Sequence, residues 1–473
     1  MTAGDAARIA GAISPLAGAG ASDARLGVDA QTPSDAALAM TQRPPTSPPA
    51  PTTLAETGLQ RAFLEGLLCK AMYRLSLERT SHIGYTLRLS MTLLGDLIDV
   101  ARSAGLLEAK GQDAATVTSE MRWSLTALGR ERALQALSQS DYVGAVPVPL
   151  EQYAIQVSRQ SIHGEALQRP ALERALSDLT LADDVMARLG PAANSGSSIL
   201  LYGPPGNGKS SIAAVLAQAF GHHVWLPYAI EVDGQIIALY DPAVHQALPS
   251  GEVERLTGAG SGLRRSRSVD PRFVACRRPK LIAGGELTLD MLDLAYSPAS
   301  RVYAAPLQAK AAGGVLVIDD FGRQREAPQD IINRMIIPLE KQVDYLSLTT
   351  GRKFEVAFDA LIVFSTNIPP KQLVDEAALR RLRYKILVDR PDRETYVRIF
   401  LKTAERFGLE VGEDVLPHLL LELYPKTEGA ELQAFHPRFL IDQTRSICAY
   451  EQVAPQLRPD FLDKAWRNLF TSE

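Results

Sequence analysis

The sequence predicts an α/β fold whose centre is a parallel sheet between two layers of helices, with a purely helical region after it. Three observations lead to this prediction. An apolar run at 199–202 precedes a glycine-rich turn and then a helical pattern that starts near residue 209. Two further apolar runs, at 315–318 and 361–364, end in polar residues, as buried strands of parallel sheets do. After residue 390 the apolar residues recur only at helical spacing.

Length and composition limit the class of protein. The chain has 473 residues, which favours two or three domains, and a formal net charge of −4, which gives no general preference for nucleic acid. Its three cysteines are far apart in sequence, so we expect neither disulfides nor a cysteine metal site. No apolar run approaches 18 residues and no signal peptide is visible, so we expect a cytoplasmic protein without a membrane span.

Composition and pattern divide the chain into five parts. The first is rich in Ala and Pro and buries too little apolar surface to order itself, and the third contains a stiff Val-Pro-Val-Pro stretch. The predicted parts are a disordered tail at 1–57, a small domain at 58–142, a linker at 143–170, the α/β core at 171–390 and a helical lid at 391–473.

The small domain is predicted to contain three helices, a hairpin and a closing helix. These elements are expected at 59–75, 83–87, 91–104, 106–110 paired with 121–125, and 126–137. Their order resembles a winged helix, whose third helix can enter the major groove of DNA. However, residues 58–142 carry ten basic and nine acidic residues, and the third helix has Asp96 and Asp99 against Arg102. This balance favours a protein-binding domain over a DNA-binding one.

The glycine-rich turn carries the strongest functional signal. The stretch from Gly203 to Ser210 fits the pattern G-x-x-x-x-G-K-[ST], which surrounds phosphate oxygens with backbone N–H groups at a helix N-terminus. Lys209 would reach the β- and γ-phosphates, and the Ser210 hydroxyl would ligate Mg²⁺. The predicted nucleotide-binding residues of the turn are Gly203, Pro204, Pro205, Gly206, Asn207, Gly208, Lys209, Ser210 and Ser211.

Polar side chains at the ends of the other two apolar runs complete a candidate site. Asp319 and Asp320 follow the run at 315–318, at the strand end where parallel sheets place their ligands. Asp319 would hold Mg²⁺, directly or through water, and Asp320 would orient or deprotonate an attacking water. Asn367 would hydrogen-bond that water or the γ-phosphate, although Asn also commonly opens turns.

Taken together, these residues resemble the AAA+ ATPase superfamily. The stretch from Gly203 to Ser210 resembles its Walker A motif, 318–320 its Walker B motif and Asn367 its sensor 1. The segment 376–383 resembles the one that carries the arginine finger, which in this family reaches the γ-phosphate bound by a neighbouring subunit. Arg381 matches best, with Arg380 and Arg383 as alternatives.

The resemblance extends to the C-terminal region and to one hairpin. Helices expected at 396–407, 415–423, 439–450 and 461–470 resemble the family's lid. Arg438 resembles sensor 2 and would touch the phosphates from the same subunit, and a merely solvated arginine is an equally good interpretation. A hairpin of 345–348 with 354–357 resembles the pre-sensor-1 hairpin of the branch that holds MoxR-type, helicase-loader-like and chaperone-like ATPases.

The region between about 233 and 314 is longer than such a core requires. It contains a flexible basic loop around 264–267 and a predicted hairpin of 273–276 with 280–283. Tyr296 and Tyr303 are candidates to line a pore, although buried packing explains a tyrosine more often.

The resemblance implies Mg²⁺-dependent ATP hydrolysis by a homo-oligomer, expected to be a hexameric ring. ATP turnover would remodel a protein partner that the N-terminal domain selects. One alternative is a DNA-associated ATPase of recombination, transposition or replication, in which the small domain and the loop at 264–267 bind DNA. The other is a nucleotide-gated scaffold with little turnover, since the family usually has Glu where this chain has Asp320.

Overall fold

The computed structural model describes residues 47–112, 120–196, 198–221, 223–257 and 269–470. Most of the predicted tail and the basic loop at 264–267 lie outside the described residues. Residues 47–57, also assigned to the tail, have defined contacts. Pro49 forms a β-bridge with Val269, and the Pro48 carbonyl accepts a hydrogen bond from the Asp270 N–H at 2.9 Å. Defined contacts therefore begin before the predicted boundary at residue 57.

The N-terminal domain has the predicted order of elements. Its two β-strands form an antiparallel hairpin, whose connection at 113–119 lies outside the described residues. Ser90 and Thr126 begin the third and fourth helices by accepting hydrogen bonds from the N–H groups of Leu93 and Gly129. The elements are α1 (Arg61–Leu75), α2 (Thr80–Leu87), α3 (Met91–Ser103), β1 (Leu107–Gln112), β2 (Met121–Leu125) and α4 (Ala127–Gln139).

The middle of the chain alternates strands and helices. Its first half contains β3 (Val148–Pro149), α5 (Leu150–Arg159), α6 (Arg169–Ala175), α7 (Asp183–Asn194), β4 (Ile199–Tyr202), α8 (Lys209–Ala219), β5 (His223–Pro227), β6 (Ala229–Val232), β7 (Gln235–Ala238) and α9 (Ser250–Thr257). Its second half contains β8 (Phe273–Arg277), β9 (Lys280–Ala283), β10 (Ala295–Ser297), β11 (Val302–Ala304), α10 (Leu307–Lys310), β12 (Gly314–Ile318), α11 (Pro328–Lys341), β13 (Val343–Ser347), β14 (Lys353–Ala357), β15 (Ala360–Thr366), α12 (Pro370–Leu373), α13 (Glu376–Arg381) and β16 (Tyr384–Leu387).

The central sheet is parallel and five-stranded, in the order β16–β4–β15–β12–β9. Every residue of β12 and β15 is buried, which explains why both read as unbroken apolar runs. This confirms the predicted α/β fold class. Because all five strands run the same way, β4, β12 and β15 end at one edge of the sheet, and the polar residues that follow them meet there.

A second five-stranded sheet is mixed, in the order β10–β11–β7–β6–β3. Its last strand comes from the stretch predicted to be a linker. Val148 in that strand is fully buried, and α5 packs Tyr153 and Val157 into the apolar core beside the sheet. Residues 148–159 are therefore folded against the second sheet and do not form an extended spacer.

The predicted hairpin of 273–276 with 280–283 is wrong. Strand β8 pairs antiparallel with β5, whereas β9 pairs parallel with β12 in the central sheet. The connection Arg278-Pro279 lacks the residues that adopt positive φ in a tight hairpin turn, which accounts for the difference. The other predicted hairpin is confirmed, because β13 pairs antiparallel with β14.

Tyr303 is buried in the second sheet. Its hydroxyl bonds to the Thr349 hydroxyl at 2.6 Å, and its ring packs on Tyr296 with centroids 4.7 Å apart. The packing interpretation of this tyrosine is confirmed.

The C-terminal region is helical, as predicted. Its buried core includes Phe400, Leu440 and Leu462. Among the described residues, no helix is long and apolar enough to cross a membrane. The elements are α14 (Arg393–Arg406), α15 (Val415–Pro417), a π-helical segment (His418–Leu423), α16 (Tyr424–Lys426), α17 (His436–Tyr450) and α18 (Pro459–Leu469).

Candidate functional site

A cleft of about 470 Å³ lies between the carboxyl edge of the central sheet and the lid. The glycine-rich loop forms its floor, and helices α14 and α17 of the lid form one wall. The lining residues are Asp178, Leu179, Thr180, Leu181, Pro205, Gly206, Asn207, Gly208, Lys209, Ser210, Ser211, Asp320, Ser365, Asn367, Ile399, Lys402, Thr403, Arg406, Ala434, Phe435 and Arg438.

The glycine-rich loop joins β4 to α8 and needs glycine at its first and last turns. Gly203 has φ of 141°, and a β-carbon there would stand 2.4 Å from the carbonyl oxygen of Val388. Gly208 has φ of 83° and directly precedes the first residue of α8. The loop therefore delivers the N-terminus of α8, with its unpaired N–H groups and positive dipole end, into the cleft.

Lys209 is buried within the loop. Its Nζ donates to the carbonyl oxygens of Gly203 at 3.0 Å and Pro204 at 2.8 Å. Burial lowers the pKa of Lys209 from its usual value, while the carboxylates of Asp319 and Asp320 act in the opposite direction. The ammonium group is thus held where phosphate oxygens cradled by the loop N–H groups would meet it.

Ser210 lines the cleft and contacts Asp319, which is not itself one of the lining residues. The Ser210 hydroxyl donates to the Asp319 Oδ1 at 2.8 Å, although the two residues are 109 positions apart. A hydroxyl and a carboxylate oxygen at this spacing fit the ligand preference of Mg²⁺, which takes few protein ligands and fills its shell with phosphate and water. Groups of three or more His, Cys, Asp or Glu that could hold a metal are absent from the described residues.

Asp320 has an unusual backbone. It follows β12 with φ of 47°, a left-handed conformation that costs a non-glycine residue about 1 kcal/mol. The turn brings Phe321 back into the core, where its N–H donates to the Ser365 carbonyl at 2.7 Å. Asp320 consequently lies exposed at the cleft, which Asn367, directly after β15, also lines. Such outliers persist where the surrounding structure fixes them and concentrate at functional sites.

The predicted arginines divide between the cleft and the surface. Arg438 lines the cleft, but its side chain is 76% exposed and its nearest carboxylate is Asp442 at 3.8 Å. Arg381 does not line the cleft and pairs with Glu340 at 3.0 Å. Arg380 pairs with Glu376 on its own helix at 2.8 Å.

Arg383 is the third member of the arginine group. It is exposed just before β16 and has no hydrogen-bond or ion-pair partner among the described residues. Its guanidinium is therefore the one of the three that is not held by a carboxylate of the described chain.

The sequence motifs do not predict one wall of the cleft. Leu179 and Leu181, from the segment before α7, line the cleft together with Ile399 and Thr403 of the lid helix α14. This wall is apolar and would suit the flat face of a nucleobase. The part of this wall that comes from α14 has a weak sequence signal, because residues 399 and 403 are one helical turn apart and so share a helix face. The part around 179–181 carries no recognisable motif.

Two lid cations attach this wall to the core. Arg406 pairs with Asp178 at 2.6 Å, and the Lys402 ammonium donates to the Ser177 carbonyl. The lid is thereby bonded to the segment between α6 and α7 on one side of the cleft.

Comparison with known proteins finds distant likenesses. A family described as a domain of unknown function (DUF8689) matches residues 392–468, which are the lid. No curated protein matches this chain. Three solved structures are similar to it at TM-scores of 0.31 to 0.37, and these distant likenesses carry no argument about activity.

The three structures come from three different proteins. One is NtrX from Brucella abortus in complex with ADP, 16% identical, with a TM-score of 0.36, covering 72% of this chain and 67% of that one. Another is a RuvB mutant from Thermotoga maritima, 14% identical, with a TM-score of 0.37, covering 62% and 71%. The third is a BchI–BchD complex of magnesium chelatase, 17% identical, with a TM-score of 0.31, covering 62% and 93%.

Proposed function

We propose that this protein is an AAA+-type ATPase that hydrolyses ATP with Mg²⁺. The observation that carries the proposal is the contact of Ser210 with Asp319 at 2.8 Å, directly beside Lys209. The contact joins the helix after the glycine-rich loop to the strand β12, which is the arrangement needed to hold a metal against a phosphate chain.

Each residue of the cleft has a distinct task in this proposal. The loop N–H groups and Lys209 bind the β- and γ-phosphates. Ser210 and Asp319 hold Mg²⁺, which supplies charge neutralisation on the phosphate oxygens when bound. Asp320 accepts a proton from the attacking water or orients it, and Asn367 positions the same water by hydrogen bonding.

The site is proposed to be completed by a neighbouring copy of the chain. The cleft contains cations from the lid, but the arginines of 380–383 lie elsewhere on the surface of the same chain. We take Arg383 as the finger because Arg381 and Arg380 pair with Glu340 and Glu376. Arg381, which matches the sequence pattern best, is the alternative. Its guanidinium would neutralise charge on the phosphoryl group that is being transferred in the adjacent subunit.

Mixing two inactive variants tests this arrangement. Asp320→Asn removes the water-activating group, and Arg383→Ala removes the proposed finger. Each variant alone should hydrolyse ATP slowly, and an equimolar mixture should regain activity, because some interfaces then combine an intact Asp320 with an intact Arg383. Arg380→Ala is the matched control and should retain activity. A mixture no more active than its parts would contradict completion by a neighbour.

Remodelling of a protein partner is the proposed use of the turnover. The near-equal charges of 58–142 support it, and so does the attachment of the N-terminal domain to the second sheet. The Asp141 N–H donates to the Ser300 carbonyl at 2.8 Å, and Arg301 donates to the Ser138 carbonyl at 2.6 Å. A partner held by this domain would therefore be coupled to the core through β10 and β11.

The DNA alternative predicts salt-dependent binding. A protein that contacts several phosphates loses affinity steeply as salt rises. Titration of the full chain with duplex DNA at low salt distinguishes remodelling of a protein partner from action on DNA. The protein-partner proposal expects no DNA binding. Tight, salt-sensitive binding would favour the DNA-associated ATPase.

A further inference from the structure

Two acceptor atoms of the glycine-rich loop bond to the lid. The Gly206 carbonyl accepts from the Phe435 N–H at 3.0 Å, and the Asn207 Oδ1 accepts from the Ala434 N–H at 3.1 Å. Asn207 is only 4% exposed, and its Nδ2 lies 3.4 Å from the Pro204 carbonyl. Both lid bonds use acceptors, so they do not compete with phosphate oxygens for the N–H groups of the loop.

The contact is also close-packed. A β-carbon on Gly206 would lie 2.4 Å from Cδ1 of Phe435 and 2.8 Å from Oε1 of Gln433. The segment 433–435 therefore lies directly against the loop backbone, and a change in the loop conformation has to move it.

The same segment is joined firmly to the lid core. Phe435 directly precedes α17, and the next residue, His436, is buried with its Nδ1 2.6 Å from the Tyr424 hydroxyl. Tyr424 in turn bonds to Tyr396 at 2.9 Å. A displacement at 434–435 is thus transferred to the first turn of α17, which also carries Arg438.

We infer that Asn207, with the Gly206 carbonyl, couples phosphate binding in the loop to the position of the lid. Asn207 is a positioning residue in this inference: it acts through Ala434 and α17, and its side chain does not hold the phosphates. Arg438 contributes less to this coupling, because its side chain is 76% exposed. The inference rests on the proposed function, since it needs a phosphate-bearing nucleotide in the loop.

Hydrogen exchange of the full chain, measured by mass spectrometry with and without ADP, tests the coupling. In the wild type, ADP should slow exchange in 433–440, because the loop holds the lid segment more firmly. In Asn207→Ala this ADP-dependent slowing should be reduced, because only the Gly206 carbonyl then bonds the loop to the lid segment. ADP affinity should change by less than about tenfold, as expected for one neutral hydrogen bond away from the phosphates. Tyr450→Ala, at the 89% exposed end of the same helix, should behave as the wild type.

A second variant removes the donor from the lid side. In Ala434→Pro, residue 434 has no backbone N–H to donate to the Asn207 Oδ1. The loop sequence is unchanged in this variant, so it tests the same bond even if Asn207→Ala does not fold. If both residues act through one bond, the double variant should lose no more ADP-dependent slowing than either single variant. Additive losses would overturn the inference.

Two results separate this inference from the proposed function. Wild-type protein that shows no ADP binding at millimolar concentration would overturn both. ADP binding together with wild-type exchange behaviour of Asn207→Ala would overturn the coupling alone and leave the proposed ATPase intact.

Discussion

The two five-stranded sheets in the described part of the chain differ in how their strands are supplied. The central sheet is parallel, and two of its three inner strands, β12 and β15, are fully buried runs of five and seven residues. The second sheet is mixed and gathers strands of two to four residues from 148–149, 229–238 and 295–304. The first sheet brings the chemical groups together at one edge, whereas the second joins distant parts of the chain.

A buried arginine helps the region around the second sheet to join distant parts of the chain. Arg272 is 2% exposed and pairs with Asp270 at 2.8 Å, and it also donates to the Thr57 carbonyl at 3.2 Å and the Gln152 Oε1 at 3.1 Å. One guanidinium thus connects the N-terminal segment, α5 and the segment before β8. We therefore expect changes at the edge of the central sheet to affect turnover, and changes at Arg272 to affect stability.

Lys209→Ala should have the largest effect. Removal of the ammonium takes away the protein cation that meets the developing phosphate charge, and loss of such a preorganised group lowers turnover by about 10³-fold. The measurement is steady-state phosphate release from MgATP by the full chain. Lys426→Ala, on a surface pair with Glu422, is the control and should not change the rate. A Lys209→Ala rate equal to the wild type would refute the site.

Arg272→Leu should destabilise the protein without directly changing the nucleotide site. The substitution leaves the Asp270 carboxylate buried without its partner, which costs about 3–5 kcal/mol. Urea unfolding measures the loss, and Arg272→Leu combined with Asp270→Leu should recover most of it. Arg169→Leu, on an exposed pair with Glu173, should give no measurable change. An unchanged urea midpoint for Arg272→Leu would show that the buried pair does not support the junction.

Asp320→Asn should lower the turnover by about 10²-fold and leave ATP affinity unchanged, because it removes only the proton acceptor. Asparagine tolerates the left-handed backbone, so the turn should persist. Asp233→Asn is the matched control, since Asp233 has φ of 49° in the second sheet, between β6 and β7. Equal rates for wild type and Asp320→Asn would favour a nucleotide-gated scaffold.

The smallest expected effect is a pH dependence of the lid. Burial lowers the pKa of His436 to about 4, below its usual value near 6.5. The folded lid therefore prefers neutral His436, and this contribution to stability is present above about pH 6.5 and lost as pH falls towards 4. Thermal melting between pH 7 and pH 4.5 should show the loss, and His436→Gln should reduce the slope. A slope unchanged by that substitution would assign the pH dependence to other groups.

The sequence predicted the central sheet and the cleft floor because their signals are local. An apolar run, a glycine-rich turn and a carboxylate pair each lie within a few residues. The pattern alone therefore assigns Lys209 and Ser210 to the helix after the turn, and Asp319 and Asn367 to the ends of buried strands. The contact of Ser210 with Asp319 follows from the parallel arrangement of those strands.

The second sheet and the cleft wall around Leu179 could not be predicted, because they depend on contacts between segments far apart in the sequence. The sequence around Val148 and Pro149 predicts an extended spacer, whereas in the structure these residues pair with β6. Leu179 becomes part of the cleft wall only through its position beside α14 of the lid, which lies more than 200 residues later in the chain. Such pairings are decided by tertiary packing, and a single sequence does not record which distant segment supplies the partner.

The central claim is that the carboxyl edge of the central sheet hydrolyses ATP with Mg²⁺. Phosphate release by the full chain, measured with ATP in the presence of Mg²⁺ and again after chelation with EDTA, tests it most directly. We predict release that saturates with ATP, stops on chelation and returns when Mg²⁺ is restored. Release that is absent with Mg²⁺, or that continues unchanged in EDTA, would contradict the claim.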